Sequence, residues 1–143
     1  MAKLIIGNLE TCHLPELGIS ELPVRIDTGA KTSSLHVDNI ERKKIKGKPH
    51  ISFDLHPDIY NLEQVCRCSA PIFDTRRVKS SNGEVEQRYV IQTAFQLGEQ
   101  TWPIEITLTN RQDMSYLMLL GRQGMGDKVL VDPSQSFLVD SAG

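Results

Sequence analysis

The sequence predicts an all-β fold whose strands close, or nearly close, into a barrel, and three observations predict it. Apolar and polar residues alternate with a period of two along most of the chain. Turn-forming residues punctuate the runs at short intervals. Only two short stretches, Leu120 to Met125 and Pro57 to Leu62, read as helical. Several short strands with so little helix to cover them need their edges managed, and closure does that.

Taken in order, Leu4-Ile5-Ile6 after Met1-Ala2-Lys3 reads as a first strand, because its apolar stretch is too short for a signal peptide. Val24-Arg25-Ile26 is the next clear strand and leads into Asp27-Thr28-Gly29. Ile51 to Leu55 alternates, as does Trp102 to Leu108, and Tyr89 to Leu97 is longer, with β-branched and aromatic residues. Asn82-Gly83 is a two-residue hairpin signal between Arg77-Val78-Lys79 and Val85-Glu86-Gln87. Lys46-Gly47-Lys48-Pro49 and Leu97-Gly98-Glu99-Gln100 read as further turns. No repeat, low-complexity segment or linker interrupts the 143 residues, so one domain over residues 1–143 is expected.

The totals bound the function. A chain 39% apolar and 24% charged has the composition of a soluble globular protein. A formal net charge of −2 gives no sign of a nucleic-acid binder. No apolar run approaches the roughly 20 residues that span a bilayer. Three cysteines are an odd number, and Cys66 and Cys68 would share a strand face, a spacing that suits buried thiols better than a disulfide. A reduced, cytoplasmic protein is the simplest expectation.

Asp27-Thr28-Gly29-Ala30 directly after an apolar strand carries the chemistry. A carboxylate at the floor of a cleft needs a sharp turn to present it, and glycine permits such a turn. The Thr28 hydroxyl can lock the loop, and small Ala30 keeps the approach open. Alone, the four residues are an ordinary turn. Late in the chain, however, stands the apolar run Tyr116-Leu117-Met118-Leu119-Leu120, ending in Gly121-Arg122-Gln123.

This pair of elements resembles the retropepsins, whose subunit has Asp-Thr-Gly-Ala early and an apolar-apolar-Gly-Arg segment near its end. The resemblance implies the acid protease fold: a closed β-barrel with a flap hairpin and one short helix. The flap would be Arg77 to Val85, with Ser80, Ser81, Asn82 and Gly83 at its tip, and its distance from Asp27 requires an extra hairpin between them. Thr28, Gly29 and Ala30 would build the catalytic loop, and Gly121 with Arg122 the supporting strand.

Four segments narrow the match: Asp27 to His36, Val78 to Gly83, Ile104 to Arg111 and Met118 to Gln123. They resemble a bacterial family long described as ATP-dependent zinc proteases and more recently regarded as retropepsin-like. The likeness runs from about Val24 to Leu138. It implies a cytoplasmic peptidase found in company with an ATP-grasp ligase that adds glutamates to a ribosomal protein. Glutamate-rich or poly-glutamate peptides are the implied substrate.

Aspartic peptidases use two carboxylates about one water, one ionised as base and one protonated as acid. This chain has no second Asp-Thr/Ser-Gly, since Asp113-Met114-Ser115 and Asp127-Lys128-Val129 lack the pattern. A twofold homodimer supplying Asp27 twice is the economical solution. Arg76, Arg77 and Lys79 before the flap tip, Arg88 after it, Lys31 and Arg122 would surround the cleft with cations and steer an acidic peptide. The alternative is a solvated hairpin whose charges cancel against Asp74, Glu84 and Glu86. Lys31 departs from the retroviral pattern, which has an acid there to pair with the arginine, so Arg122 must find another acid or face the cleft. A second basic stretch, Arg42 to Lys48, reads as a solvated hairpin loop rather than a partner-binding patch.

No His-Glu-x-x-His, Cys-x-x-Cys or phosphate-binding Gly-rich loop is present, so no metal or nucleotide is expected and no cofactor is called for. Two rivals stay open: a non-catalytic module that grips acidic peptides on the same fold, and a zinc-dependent hydrolase with a site assembled from Cys66, Cys68 and one of His13, His36, His50 and His56.

Overall fold

Six strands close on themselves. The computed structural model describes residues 3–56, 65–79, 83–110 and 116–139. In chain order the strands are β1 (Leu4–Ile6), β2 (Leu9–Leu14), β3 (Ile19–Ile26), β4 (Ser33–His36), β5 (Asp38–Ile45), β6 (Lys48–Leu55), β7 (Cys66–Pro71), β8 (Asp74–Lys79), β9 (Val85–Leu97), β10 (Gln100–Thr109), β11 (Met118–Leu120) and β12 (Val129–Val131). A single 3-10 turn, Pro15–Leu17, and one α-helix, α1 (Arg122–Met125), complete the described elements. The barrel runs β10-β4-β11-β3-β2-β9 and returns to β10. This is the closed, all-β architecture expected from the alternation and the turn spacing, and the barrel that the retropepsin resemblance implies.

Alternation decides which way each strand faces. Leu22, Val24 and Ile26 of β3 are buried while Glu21, Pro23 and Arg25 are exposed. The same parity puts Ile104, Ile106 and Leu108 of β10 inside, with Met118 and Leu120 of β11. Phe95 and Trp102 meet edge to face with ring centroids 5.3 Å apart, and full burial of a ring such as Phe95 contributes about 1.5 to 3 kcal/mol. Pro103 and Pro23 sit in strands without breaking a ladder. Pairing with β4 begins only at Ile106, and pairing with β11 begins at Val24.

Beside the barrel, β5, β6 and β7 form a three-stranded sheet, and β8 extends from β9 as a hairpin arm. The β5–β6 hairpin is the extra one required between Asp27 and the proposed flap. Its turn has two residues: Ile45 pairs with Lys48, and Lys46 and Gly47 have φ of 52° and 78°. Two positive φ angles define the turn type that matches strand twist.

The flanks of the expected Asn82-Gly83 turn pair as a hairpin, Arg77 with Gln87 and Lys79 with Val85, and the turn itself falls partly outside the described residues. Ser80, Ser81 and Asn82 lie outside the described residues, as does the expected helix at Pro57 to Leu62. The late helix begins at Arg122 rather than Leu120, which is held in β11 by its parallel pairing with Ile26. Cys12, Cys66 and Cys68 are free thiols, and the sulfurs of Cys66 and Cys68 lie 3.8 Å apart on one face of β7.

Candidate active site

β3 delivers Asp27 to the rim of the barrel. Beyond the last buried strand residue, Ile26, the Asp27 amide donates to the Leu120 carbonyl at 3.0 Å, so β11 guides the chain one step into the loop. The Ala30 amide then donates to the Asp27 carbonyl at 3.2 Å and closes a turn. Inside that turn the Gly29 amide donates to Oδ1 of Asp27 at 3.0 Å, which fixes the direction of the carboxylate. Asp27 is half-buried, while Thr28 and Gly29 are exposed.

Gly29 is required by close approach rather than by a left-handed backbone. A Cβ there would lie 3.3 Å from Oδ1 of Asp27, and its φ is not among the positive ones. Any side chain would crowd the carboxylate that the amide must reach.

The second half of the site arrives from α1. The amides of Arg122 and Gln123 donate to the carbonyls of Ala30 and Lys31 at 2.9 and 3.0 Å. Nη1 of Arg122 donates to the Thr28 carbonyl at 3.0 Å. Arg122 has no acid partner among the described residues; its guanidinium bonds to the backbone of the Asp27 loop. Gly121 donates its amide to Oγ of buried Ser33 at 3.0 Å, and a Cβ on Gly121 would meet the Thr32 carbonyl oxygen at 2.5 Å. The two segments singled out from the sequence are thus interlocked.

The hairpin cations divide by strand face. Arg76, Arg88 and Glu86 share one face of β8–β9. Arg76 pairs with Asp74 at 2.9 Å and with Glu105, whose other oxygen accepts from Nε2 of Gln123 at 3.0 Å. Arg88 is only 8% exposed and pairs with Glu86 at 3.1 Å. Arg77 and Lys79 occupy the opposite, exposed face and have no ion-pair partner among the described residues. Gly83 is exposed with φ of +87°, and Lys31 is exposed beside the loop. Sequence reasoning missed Ser33, Glu105 and Gln123 as supports, since nothing local marks a serine or an acid as a brace for a distant loop.

Among the described residues no group of three or more His, Cys, Asp or Glu side chains is arranged to hold a metal ion. Burial, and then the neighbouring Cys66, push the Cys68 thiol up to about 12. Its sulfur donates to the Leu17 carbonyl at 3.7 Å rather than offering a thiolate. Among the described residues no helix is long and apolar enough to cross a membrane.

Known proteins resemble the chain in sequence and in shape. Two curated relatives, from Shewanella halifaxensis and Shewanella pealeana, are 50% and 49% identical over 94% and 99% of the chain, and both bear the name "Probable alpha-L-glutamate ligase". The chain spans only 30% and 31% of their length. A crystal structure of a Legionella pneumophila protein of unknown function superposes with a TM-score of 0.80 at 29% identity, covering 96% of this chain and 98% of that one. The model of the RimB-like family, described as retropepsin-like aspartic endopeptidase RimB, matches residues 5–142. The chain belongs to the RimB-like family of retropepsin-like aspartic endopeptidases.

Proposed function

We propose that this chain is one half of an aspartic peptidase that hydrolyses peptide bonds in glutamate-rich or poly-glutamate chains. The observation that carries the reading is the carboxylate of Asp27, oriented by the Gly29 amide in a loop braced by Arg122. Such a loop is built to hold a reacting group still, which is where much of the catalytic advantage of an enzyme lies.

Two copies related by a twofold axis would bring two Asp27 carboxylates about one water. Close like charges do not both ionise, so the pair holds a single proton over a range of pH. The ionised carboxylate takes a proton from the water as the oxygen bonds to the peptide carbonyl carbon. The protonated carboxyl gives its proton to the carbonyl oxygen. The resulting tetrahedral diol collapses when its C–N bond breaks: the carboxyl that took the water's proton gives it to the departing nitrogen, and the other, now ionised, carboxylate takes a hydroxyl proton back. The 1–143 unit would act as one catalytic half-site of this pair, in the cytoplasm. The ligase names of the relatives support a functional association with a glutamate-adding enzyme, and a product rich in glutamate is what such an enzyme leaves for a peptidase.

The test is cleavage of poly-glutamate peptides by the purified protein beside Asp27→Asn, with and without chelator. Cleavage that survives chelator and disappears in the variant supports the reading. Chelator-sensitive cleavage that persists in the variant points to a metal enzyme, and peptide bound but never cut points to a binding module.

A further inference from the structure

We propose that a groove between the β5–β6 and β8–β9 hairpins is a docking site for an extended acidic peptide chain, separate from the catalytic loop. This deepens the substrate reading above by naming where the chain is held outside the reacting centre.

The groove is defined by a cavity of about 250 Å³ lined by Arg42 of β5, Thr75 of β8, and Gln87 and Tyr89 of β9. Thr75 pairs with Tyr89 and Arg77 with Gln87 across the β8–β9 ladder. Side chains paired across an antiparallel ladder share a face, so Arg77 and Lys79 stand on the cavity side of the hairpin. On β5, the residue that shares the Arg42 face is Lys44, two positions on.

Arg42 itself lines the groove, and three more exposed cations, Lys44, Arg77 and Lys79, stand on the strand faces that carry its lining residues. None has an ion-pair partner among the described residues. The arginines on the reverse face of the same hairpin are both neutralised, Arg76 by Asp74 and Glu105, Arg88 by Glu86. Acidic Glu41 is likewise committed, to Arg67 at 3.3 Å. Charge is thus balanced where the hairpin faces the barrel and left unbalanced where it faces the groove. A set of converging cations costs stability through mutual repulsion unless an anion joins it.

Spacing narrows the ligand. Alternate residues on a strand lie about 6.5 to 7 Å apart, so the cation pairs 42/44 and 77/79 repeat at the interval of alternate carboxylates in an extended glutamate chain. Both β5 and β8 are sheet-edge strands among the described residues, so their unpaired backbone groups can add main-chain hydrogen bonds to such a chain. A single-stranded nucleic acid would instead call for stacking platforms. Tyr89 is the aromatic residue lining the cavity, and it is half-buried against the core.

The experiment uses the full chain carrying Asp27→Asn, so that binding is read without cleavage. Anisotropy of a fluorescein-labelled ten-residue glutamate peptide is measured at low salt. Arg42→Glu/Lys44→Glu and Arg77→Glu are each expected to weaken binding at least about 10-fold. The control Lys43→Glu/Lys48→Glu makes the same charge change on the outward face of the β5–β6 hairpin and is expected to stay within about 3-fold. If a reversal variant melts early, Arg42→Gln/Lys44→Gln replaces it. Equal losses in the groove and control variants would overturn the proposal, because net charge alone would then account for binding. A uridine oligonucleotide that binds more tightly than the peptide through the same residues would also overturn it. Groove-dependent binding beside a wild-type chain that never cleaves would sink the peptidase reading and leave the groove standing.

Discussion

Arg122 reaches back across 94 residues of sequence to donate to the carbonyl of Thr28 at 3.0 Å. The bond ties the residue after Asp27 to the first turn of the helix, so the loop is held by α1 as well as by the strand that carries it. Both residues are exposed and water competes for the bond, so its net contribution is about 0.5 to 1.5 kcal/mol.

Arg122→Ala should leave the barrel folded but loosen the catalytic loop. The expected outcome is a fall in kcat of about 10- to 100-fold, with a smaller change in KM. Steady-state kinetics on a poly-glutamate peptide, with far-ultraviolet circular dichroism as the folding check, decides it. An unchanged kcat would show that the clamp has no catalytic role.

Gly121→Ala is expected to be worse for the fold than for chemistry. Its new Cβ would lie 2.5 Å from the Thr32 carbonyl oxygen and 2.9 Å from the Thr32 amide nitrogen. Backbone cannot yield as a side-chain tip can, so a loss of about 2 to 4 kcal/mol is expected, read as a large drop in thermal midpoint.

Glu10 should hold the C-terminal segment. Its fully buried carboxylate accepts from the amides of Gly7 at 2.7 Å, Leu138 at 2.9 Å and Val139 at 3.2 Å. Glu10→Ala would orphan three donors and cost about 2 to 5 kcal/mol. Hydrogen exchange should show faster loss of protection at Leu138 and Val139 than anywhere in the barrel. Uniform destabilisation would mean that the segment is held by other contacts.

Cysteine labelling has a predicted order. With the Cys68 thiol near 12, its thiolate at pH 8 is about one part in ten thousand. Burial also pushes Cys12 upward. Half-buried Cys66 should therefore react with maleimide first, as read by peptide mass spectrometry. Linkage has the matching sign. The unfolded thiol loses its proton near pH 8.5 and the folded Cys68 does not, so stability falls as pH rises above that value.

Much of this was legible in the sequence because periodicity reports local geometry. The alternation of Val24, Ile26 and the Trp102 to Leu108 run gave strand faces directly, and Lys46-Gly47 marked its turn. Asp27 and Gly121 could be paired by resemblance, although nothing in spacing shows that the amides of Arg122 and Gln123 bond to Ala30 and Lys31. Asn82-Gly83 marked a hairpin whose flanks do pair, Arg77 with Gln87 and Lys79 with Val85, while the turn lies partly outside the described residues. Glu10 was invisible for a different reason. It stands at the inward parity of β2 with Cys12 and Leu14, and an acid there reads as an outward position until its three amide partners are seen. The division of Arg76 and Arg88 from Arg77 and Lys79 is a matter of strand parity in the hairpin, with Glu105 supplied from another strand.

The parallel pairing of β3 with β11 also sets an order of assembly. Asp27 is made early, yet the strand that floors its loop comes more than ninety residues later, with Arg122 close behind. Closing so long a loop is entropically costly and comes late when a chain folds. A nascent chain that has not yet presented Met118 to Arg122 carries the reactive carboxylate on an unbraced turn. Any chemistry proposed for Asp27 would thus have to wait until the last barrel strand is in place.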